Sequence, residues 1–315
     1  QLCTRFYAPK MGRPSLIPGI YFRLLMIGYF EGLDSERGIA WRTADSLALR
    51  TFLGLEITDT PPEHSTISRT RRLIDVETHQ AVFTWVLQRI ADAGLLKGKT
   101  IGIDATTLEA NAALRSIVRR DTGDSYQEFL TKLAKESGIQ TPTREDLARL
   151  DRKRAKKGSN EDWTHPYDPD ARITKMKDGS THFAHKTENA VDLETGAVVG
   201  VTLQPADTGD TTTMIETLIT ASGQVETVLP QSEGIKEVVA DKGYYSTERI
   251  ADMDQIGLRS YVSEPKQRRR RWRGNEEAQA AVYGNRRRIR GKRGKALLRR
   301  RGELLERPFA HLYQT

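Results

Sequence analysis

Glu237-Val238-Val239-Ala240-Asp241-Lys242-Gly243-Tyr244-Tyr245 (residues 237–245) reads as a short buried strand that ends on an acid. The run is too short for a helix and is bounded by turn residues, which favours strand. Gly243 permits a tight exit, and Tyr244 and Tyr245 can pack over a groove. A second run of the same kind, Thr100-Ile101-Gly102-Ile103, ends on Asp104. In an open sheet, ligand sites form outside the carboxyl ends of the strands. If the two strands are neighbours, the 137 residues between the aspartates (241 − 104) collapse to adjacent positions. Glu306, in a helical stretch after a dense basic tract, supplies a third carboxylate. Three carboxylates held together repel one another unless a cation is present. Mg²⁺ takes few protein ligands, mostly carboxylates, and two such ions serve both ends of an in-line phosphoryl displacement. The triad therefore points to a metal-dependent nuclease or DNA-strand transferase. Either aspartate taken alone also reads as an ordinary turn or cap residue.

Working outward, residues 14–95 read as helices, with a helix cap at Ser65 or Thr66 after the loop through Pro61 and Pro62. Arg69, Arg71 and Arg72 on that helix fit a helix-turn-helix or the solvated face of a plain bundle. Residues 108–155 read as charged helix broken at Gly138 and Pro142, and 156–180 as loop. Strands at 182–191 and 197–204 flank the hairpin signal Asp192-Leu193-Glu194-Thr195-Gly196. A helix at 211–222, the strand at 237–241, a helix at 246–255 and a strand at 259–262 follow. A final helix spans 297–313, with Pro308 expected to kink it. One strand, a hairpin and a strand-helix-strand unit with right-handed crossover give a mixed α/β class. The expected architecture is a ribonuclease H-like five-stranded mixed sheet with flanking helices, preceded by a small all-α N-terminal domain. The boundaries read as 1–97 for the helical, DNA-associated domain and 98–315 for the catalytic one. The latter carries an insertion at about 110–180 and the basic tract at 266–302.

Charge is unevenly spread. The net charge is +8, yet residues 266–302 hold 16 Lys/Arg against Glu276 and Glu277, a local +14, leaving 8 − 14 = −6 elsewhere. A basic tract on an acidic body suits a polyanion, because each phosphate neutralised releases counterions. A solvated basic linker is the other reading; Trp272 and Tyr283 among the arginines favour the first. Arg268, Arg269, Arg270, Arg271, Arg273, Arg286, Arg287, Arg288 and Arg290 are the candidate phosphate contacts. The lone Cys3 excludes an internal disulfide and a cysteine zinc site and fits a reducing cytoplasm; the expected localisation is cytoplasmic, nucleoid-associated. No run approaches the roughly 20 apolar residues of a membrane span, and no secretory pattern opens the chain. Asp207 and Asp210, flanking Gly209, read as turn and cap residues; Glu109 reads as a helix start. His182 and His185 lack zinc spacing, and there is no phosphate-loop or dinucleotide fingerprint. The first residue is Gln1 and the last, Thr315, falls in what reads as mid-helix, so a fragment is expected.

His64-Ser65-Thr66-Ile67-Ser68-Arg69, Gly102-Ile103-Asp104-Ala105-Thr106, Val239-Ala240-Asp241-Lys242-Gly243-Tyr244 and Glu306-Arg307-Pro308-Phe309-Ala310 together resemble bacterial insertion-sequence transposases of the DDE class. The resemblance runs from about residue 12 to the end, in the family's order. It implies Mg²⁺-dependent cutting at terminal inverted repeats (Mn²⁺ as substitute), joining of 3′ ends to target DNA, and a homo-oligomer that pairs two ends. By position it makes Asp104, Asp241 and Glu306 the metal-binding triad. The family's Arg four before and Lys seven after the catalytic Glu are replaced here by Gly302 and Tyr313. Glu303, with Arg299 four before it, is the fallback. The expected function is a DNA transposase. A catalytically inactive DNA binder derived from one, and a structure-selective nuclease on the same fold, are the alternatives.

Overall fold

The computed structural model describes residues 2–7, 16–154, 158–176, 178–266 and 271–314. Four helices lead the chain: α1 (Pro18–Glu31), α2 (Glu36–Asp45), α3 (Leu47–Leu53) and α4 (His64–Leu73). Proline opens α1, where its missing N–H costs nothing, and Gly32 ends it at φ 63°. Ser35 and Ser46 cap α2 and α3 by accepting from the N–H groups of Gly38 and Leu49. Their shared core is Tyr21, Leu24, Ile39, Leu53 and Ile67. A fifth helix, α5 (Val76–Asp92), links the helical region to the sheet core. Its start is tied to the helical region by Arg5–Asp75 and by the Tyr21 hydroxyl, 3.2 Å from His79 Nε2. Its later turns pack Phe83, Leu87 and Ile90 into the sheet core.

The sheet uses β1 (Thr100–Glu109), β4 (Arg172–Lys175), β5 (Thr181–Asp192), β6 (Val198–Pro205), β7 (Glu237–Ala240) and β8 (Arg259–Val262). A separate two-stranded ladder joins β2 (Val118–Arg119) to β3 (Trp163–Thr164). The order β4-β5-β1-β7-β8, with β6 also on β5, makes the sheet mixed. Strands β1, β7 and β8 are parallel; β5 is antiparallel to β1, β4 and β6. This is the expected mixed α/β fold, with six strands rather than five. Strand β5 is longer than β6 can cover, and its free edge recruits β4 from the stretch expected to be loop. Its register places β4 against 181–184 and β6 against 185–191, so both share one edge.

Two other expectations are corrected. Strand β1 continues to Glu109 because 105–109 pair with 184–188 of β5, so Glu109 closes a strand instead of opening a helix. The stretch expected to be broken helix holds β2 and two short helices, α6 (Tyr126–Glu136) and α7 (Arg144–Lys153). Each starts at a reciprocal capping box, Ser125 with Glu128 and Thr143 with Asp146.

Helices α8 (Asp210–Val228) and α9 (Thr247–Gln255) join α5 over one face of the sheet, around Ile101, Ile103, Val238 and Ala240. Helix α10 (Glu276–Arg290) docks on β8 through Asn285, whose amide both donates to and accepts from the Val262 backbone at 2.9 Å. Helix α11 (Lys292–Gln314) takes the other face, where Leu297, Leu298 and Leu304 meet Leu193, Val239 and Tyr261. Gly102 allows the close approach: a Cβ there would lie 2.6 Å from Leu193 Cδ2 and 3.0 Å from Leu305 Cδ1. At the strands' amino end, Glu237 is 1% exposed. It is held by the Arg293 guanidinium, by the Thr100 hydroxyl at 2.8 Å and by the Tyr261 hydroxyl at 3.3 Å.

Candidate active site

Parallel pairing sets Gly102 opposite Val239. Two residues further on, the same register brings Asp104 level with Asp241. Alternation then puts both on the face of Gly102 and Val239, beneath α11. Asp241 begins the turn Lys242–Tyr244 and accepts from the Gly243 N–H at 2.7 Å. Asp104 accepts from its neighbour Ala105 N–H at 3.0 Å and from Arg301 at 3.0 Å. Burial pushes the Asp104 carboxyl up from its ordinary value, against the pull of Arg301, and the nearby Asp241 adds to the rise. The two predicted aspartates are therefore electrostatic neighbours.

The predicted glutamate is placed differently. Helix α11 turns Arg301 and Leu305 to the sheet: Leu305 is buried against Gly102, and Arg301 reaches Asp104 and the Ile103 carbonyl at 3.1 Å. Glu306, one residue on and so about 100° round the helix, is exposed, as is Glu303. Among the described residues, no three His, Cys, Asp or Glu side chains are grouped to hold a metal. The donor chemistry of the aspartate pair nonetheless fits a divalent cation. Both are hard carboxylates, Mg²⁺ needs only one or two from protein, and a positive charge already compensates Asp104.

On the opposite face lies a network that sequence reading missed. Glu188, fully buried on β5, accepts from the hydroxyls of Tyr244 and Thr213 at 2.8 Å and from Thr217. Lys186, two residues earlier, donates to Thr213 at 3.1 Å and is ion-paired with Asp210. Asp210, read as a plain helix cap, lies against the turn that follows Asp241: a Cβ on Gly243 would meet its Oδ2 at 2.6 Å and Asp241 Oδ1 at 3.1 Å. Burial, then Glu188, hold the Tyr244 hydroxyl far above its ordinary pKa, with Asp210 and Asp104 contributing. The signal for this network is the run Lys186-Thr187-Glu188-Asn189, four buried polar residues in mid-strand. Buried charges in mid-strand need partners, and Lys186 and Glu188 find theirs in this network.

The arginines divide. Arg268, Arg269 and Arg270 lie outside the described residues. Arg271, Arg273, Arg287 and Arg290 are exposed. Arg286 is a fork on Glu264, with both contacts at 2.7 Å. Arg288 holds the Ser260 carbonyl at 2.9 Å and its hydroxyl at 3.1 Å, and burial lowers its pKa. These last two tie α10 to the sheet.

No helix among the described residues is long and apolar enough to cross a membrane. No curated protein matches the chain. Comparison with protein families matches residues 1–73 to a Transposase domain (DUF772) and residues 103–314, more than half of the chain, to a Transposase DDE domain. The matched segment begins on β1 immediately before Asp104 and carries Asp241 and Glu306. Its fold is ribonuclease H-like, transposases of this family act on DNA, and the family generally uses divalent metal ions. With the sheet order, the neighbouring aspartates of β1 and of the turn after β7, and both matches in agreement, the chain belongs to the DDE transposases of insertion sequences.

Proposed function

We propose that this chain cuts the ends of its element and joins them to target DNA by two-metal-ion phosphoryl transfer. The observation that carries the reading is the adjacency, on one face of the sheet, of Asp104, midway along β1, and Asp241, just past the end of its parallel neighbour β7. Asp104 and Asp241 would hold Mg²⁺, or Mn²⁺ in its place, and Glu306 would complete the set, with Glu303 as fallback. Divalent ions held by these carboxylates would supply activation of the attacking water or 3′-hydroxyl and compensation of charge on the leaving oxygen. The chain's own contribution is positioning. The Gly243 N–H fixes the Asp241 carboxylate, and the surrounding burial limits solvent at Asp104. The exposed Arg271, Arg273, Arg287 and Arg290 would contact DNA phosphates, as would Arg268–Arg270, while Arg286 and Arg288 steady the helix that carries the tract. The helical region before residue 98 would engage the terminal inverted repeats, and pairing two ends would call for at least two copies.

The test is a supercoiled plasmid carrying the gene with its flanking DNA, incubated with Mn²⁺ or Mg²⁺. The chain is expected to nick at the element borders, and Asp241→Ala to lower the rate by about 10³-fold, the equivalent of about 4 kcal/mol. Cleavage that survives Asp241→Ala sinks the reading. One observation favours a second reading, a DNA-binding protein that does not cut: α11 presents Arg301, not Glu306, to Asp104. DNA binding without metal-dependent nicking would establish that alternative. Cutting away from the borders, with no joining, would point to a nuclease.

A further inference from the structure

Asn189 lies in mid-β5, 4% exposed, and its side-chain oxygen Oδ1 has no hydrogen-bond partner. An orphaned acceptor at that depth is costly, and native proteins keep few of them. Its location supplies a reason. Antiparallel register sets Asn189 directly opposite Asp104. Residues so opposed project from the same face, with Cβ atoms about 4.5–5.5 Å apart. That face is the one α11 covers, since Gly102 on it meets Leu305, and register extends it to Asp241. The carboxylates of Asp104 and Asp241 are acceptors themselves and offer Asn189 no proton. Arg301, the cation that α11 brings here, commits its Nη1 to Asp104 and the Ile103 carbonyl.

We propose that Asn189 is a further ligand of the divalent cation held by Asp104 and Asp241, its amide oxygen supplying a neutral donor from β5. The inference rests on the metal reading given above. Hard cations accept amide oxygens beside carboxylates, and a neutral donor adds coordination without a further negative charge next to two. This role also explains why a central strand keeps an acceptor where Val or Ile would pack.

The experiment titrates Mn²⁺ into the unsubstituted chain, Asn189→Leu, Asn189→Asp and Asp241→Asn. Free Mn²⁺ is followed by electron paramagnetic resonance, and thermal unfolding is recorded in EDTA and in Mn²⁺. Asn189→Leu is expected to weaken Mn²⁺ binding by about ten-fold or more. It is also expected to raise the melting temperature in EDTA, because it deletes the orphaned acceptor. Asn189→Asp, which adds a charged ligand, is expected to tighten binding several-fold. A purely structural asparagine gives the opposite pattern: Asn189→Leu melts lower in EDTA and binds Mn²⁺ as before. Unchanged binding in Asn189→Leu, with binding lost in Asp241→Asn, overturns the proposal and leaves the aspartate pair standing. No binding by the unsubstituted chain overturns both. If Asn189→Leu does not fold, Asn189→Asp decides alone, and affinity that fails to rise overturns the proposal.

Discussion

Tyr244 follows Asp241 by three residues, yet it packs in the core of the opposite face, where its hydroxyl donates to Glu188. That bond makes the Lys242–Tyr244 turn and the buried Lys186–Thr213–Glu188 network one unit. Removing the hydroxyl in Tyr244→Phe deletes a buried donor to a carboxylate, a loss of about 1.5–3 kcal/mol. The expected result is a lower urea midpoint with an unchanged slope. At this scale the sequence showed what depends on neighbours along the chain. Asp104 and Asp241 were legible because each closes a short β-branched run, a purely local pattern. Arg301 was not, because its partner Asp104 is 197 residues away (301 − 104) and the pairing exists only once α11 lies on β1. Asn189 was not, because an unpartnered oxygen is a property of packing. Arg286 and Arg288 read as surface cations in a basic run, and only the β8–α10 contact turns them inward.

Helix α11 approaches β1 closely enough that Gly102 has no room for a methyl group, since Leu193 and Leu305 fill the space. Gly102→Ala is therefore expected to push the helix outward and cost about 1–3 kcal/mol, as overpacking does. Amide hydrogen exchange should rise along Lys292–Gln314 while β5 and β6 stay protected; unchanged protection in α11 would refute the close-approach argument. Elements with strong local signals were the legible ones. The hairpin of β5 and β6 announced itself through the turn residues Asp192 and Gly196, and the α9–β8 unit was read as a helix followed by a short strand. Strand β4 was hidden because Arg172-Ile173-Thr174-Lys175 is too short to declare itself and forms on an edge that β5 leaves open. The capping boxes before α6 and α7 were present in the sequence as Ser-x-x-Glu and Thr-x-x-Asp, and reading them would have divided the insertion correctly.

Across the whole molecule, the two ends of the central strands have opposite characters. The carboxyl end gathers acids, whereas at the amino end Glu237 is ion-paired. Burial alone would raise the Glu237 carboxyl, but Arg293, Thr100 and Tyr261 outweigh it and hold it below the usual carboxylate range. A depressed carboxyl contributes stability above its unfolded pKa, about 4.3, and loses it as pH falls through the lower folded value. Glu237→Gln is accordingly expected to lose about 1.5–3 kcal/mol at pH 7. The gap to the unsubstituted chain should close below about pH 4, as read from urea midpoints across pH. A constant gap would show that the charge itself is not responsible. The mixed α/β class was legible because strand and helix signals alternate in the right order, whereas α5's bridging position was not, since its contacts with Tyr21 and with the sheet core exist only in the folded chain. The adjacency of β1 and β7 also has a consequence in time. Asp104 is synthesised 137 residues before Asp241 (241 − 104), which at about 5–20 residues per second is roughly 7–27 s. Throughout that interval the helical region and the first acid exist without the second, so a nascent chain has its leading helices well before its aspartate pair can form.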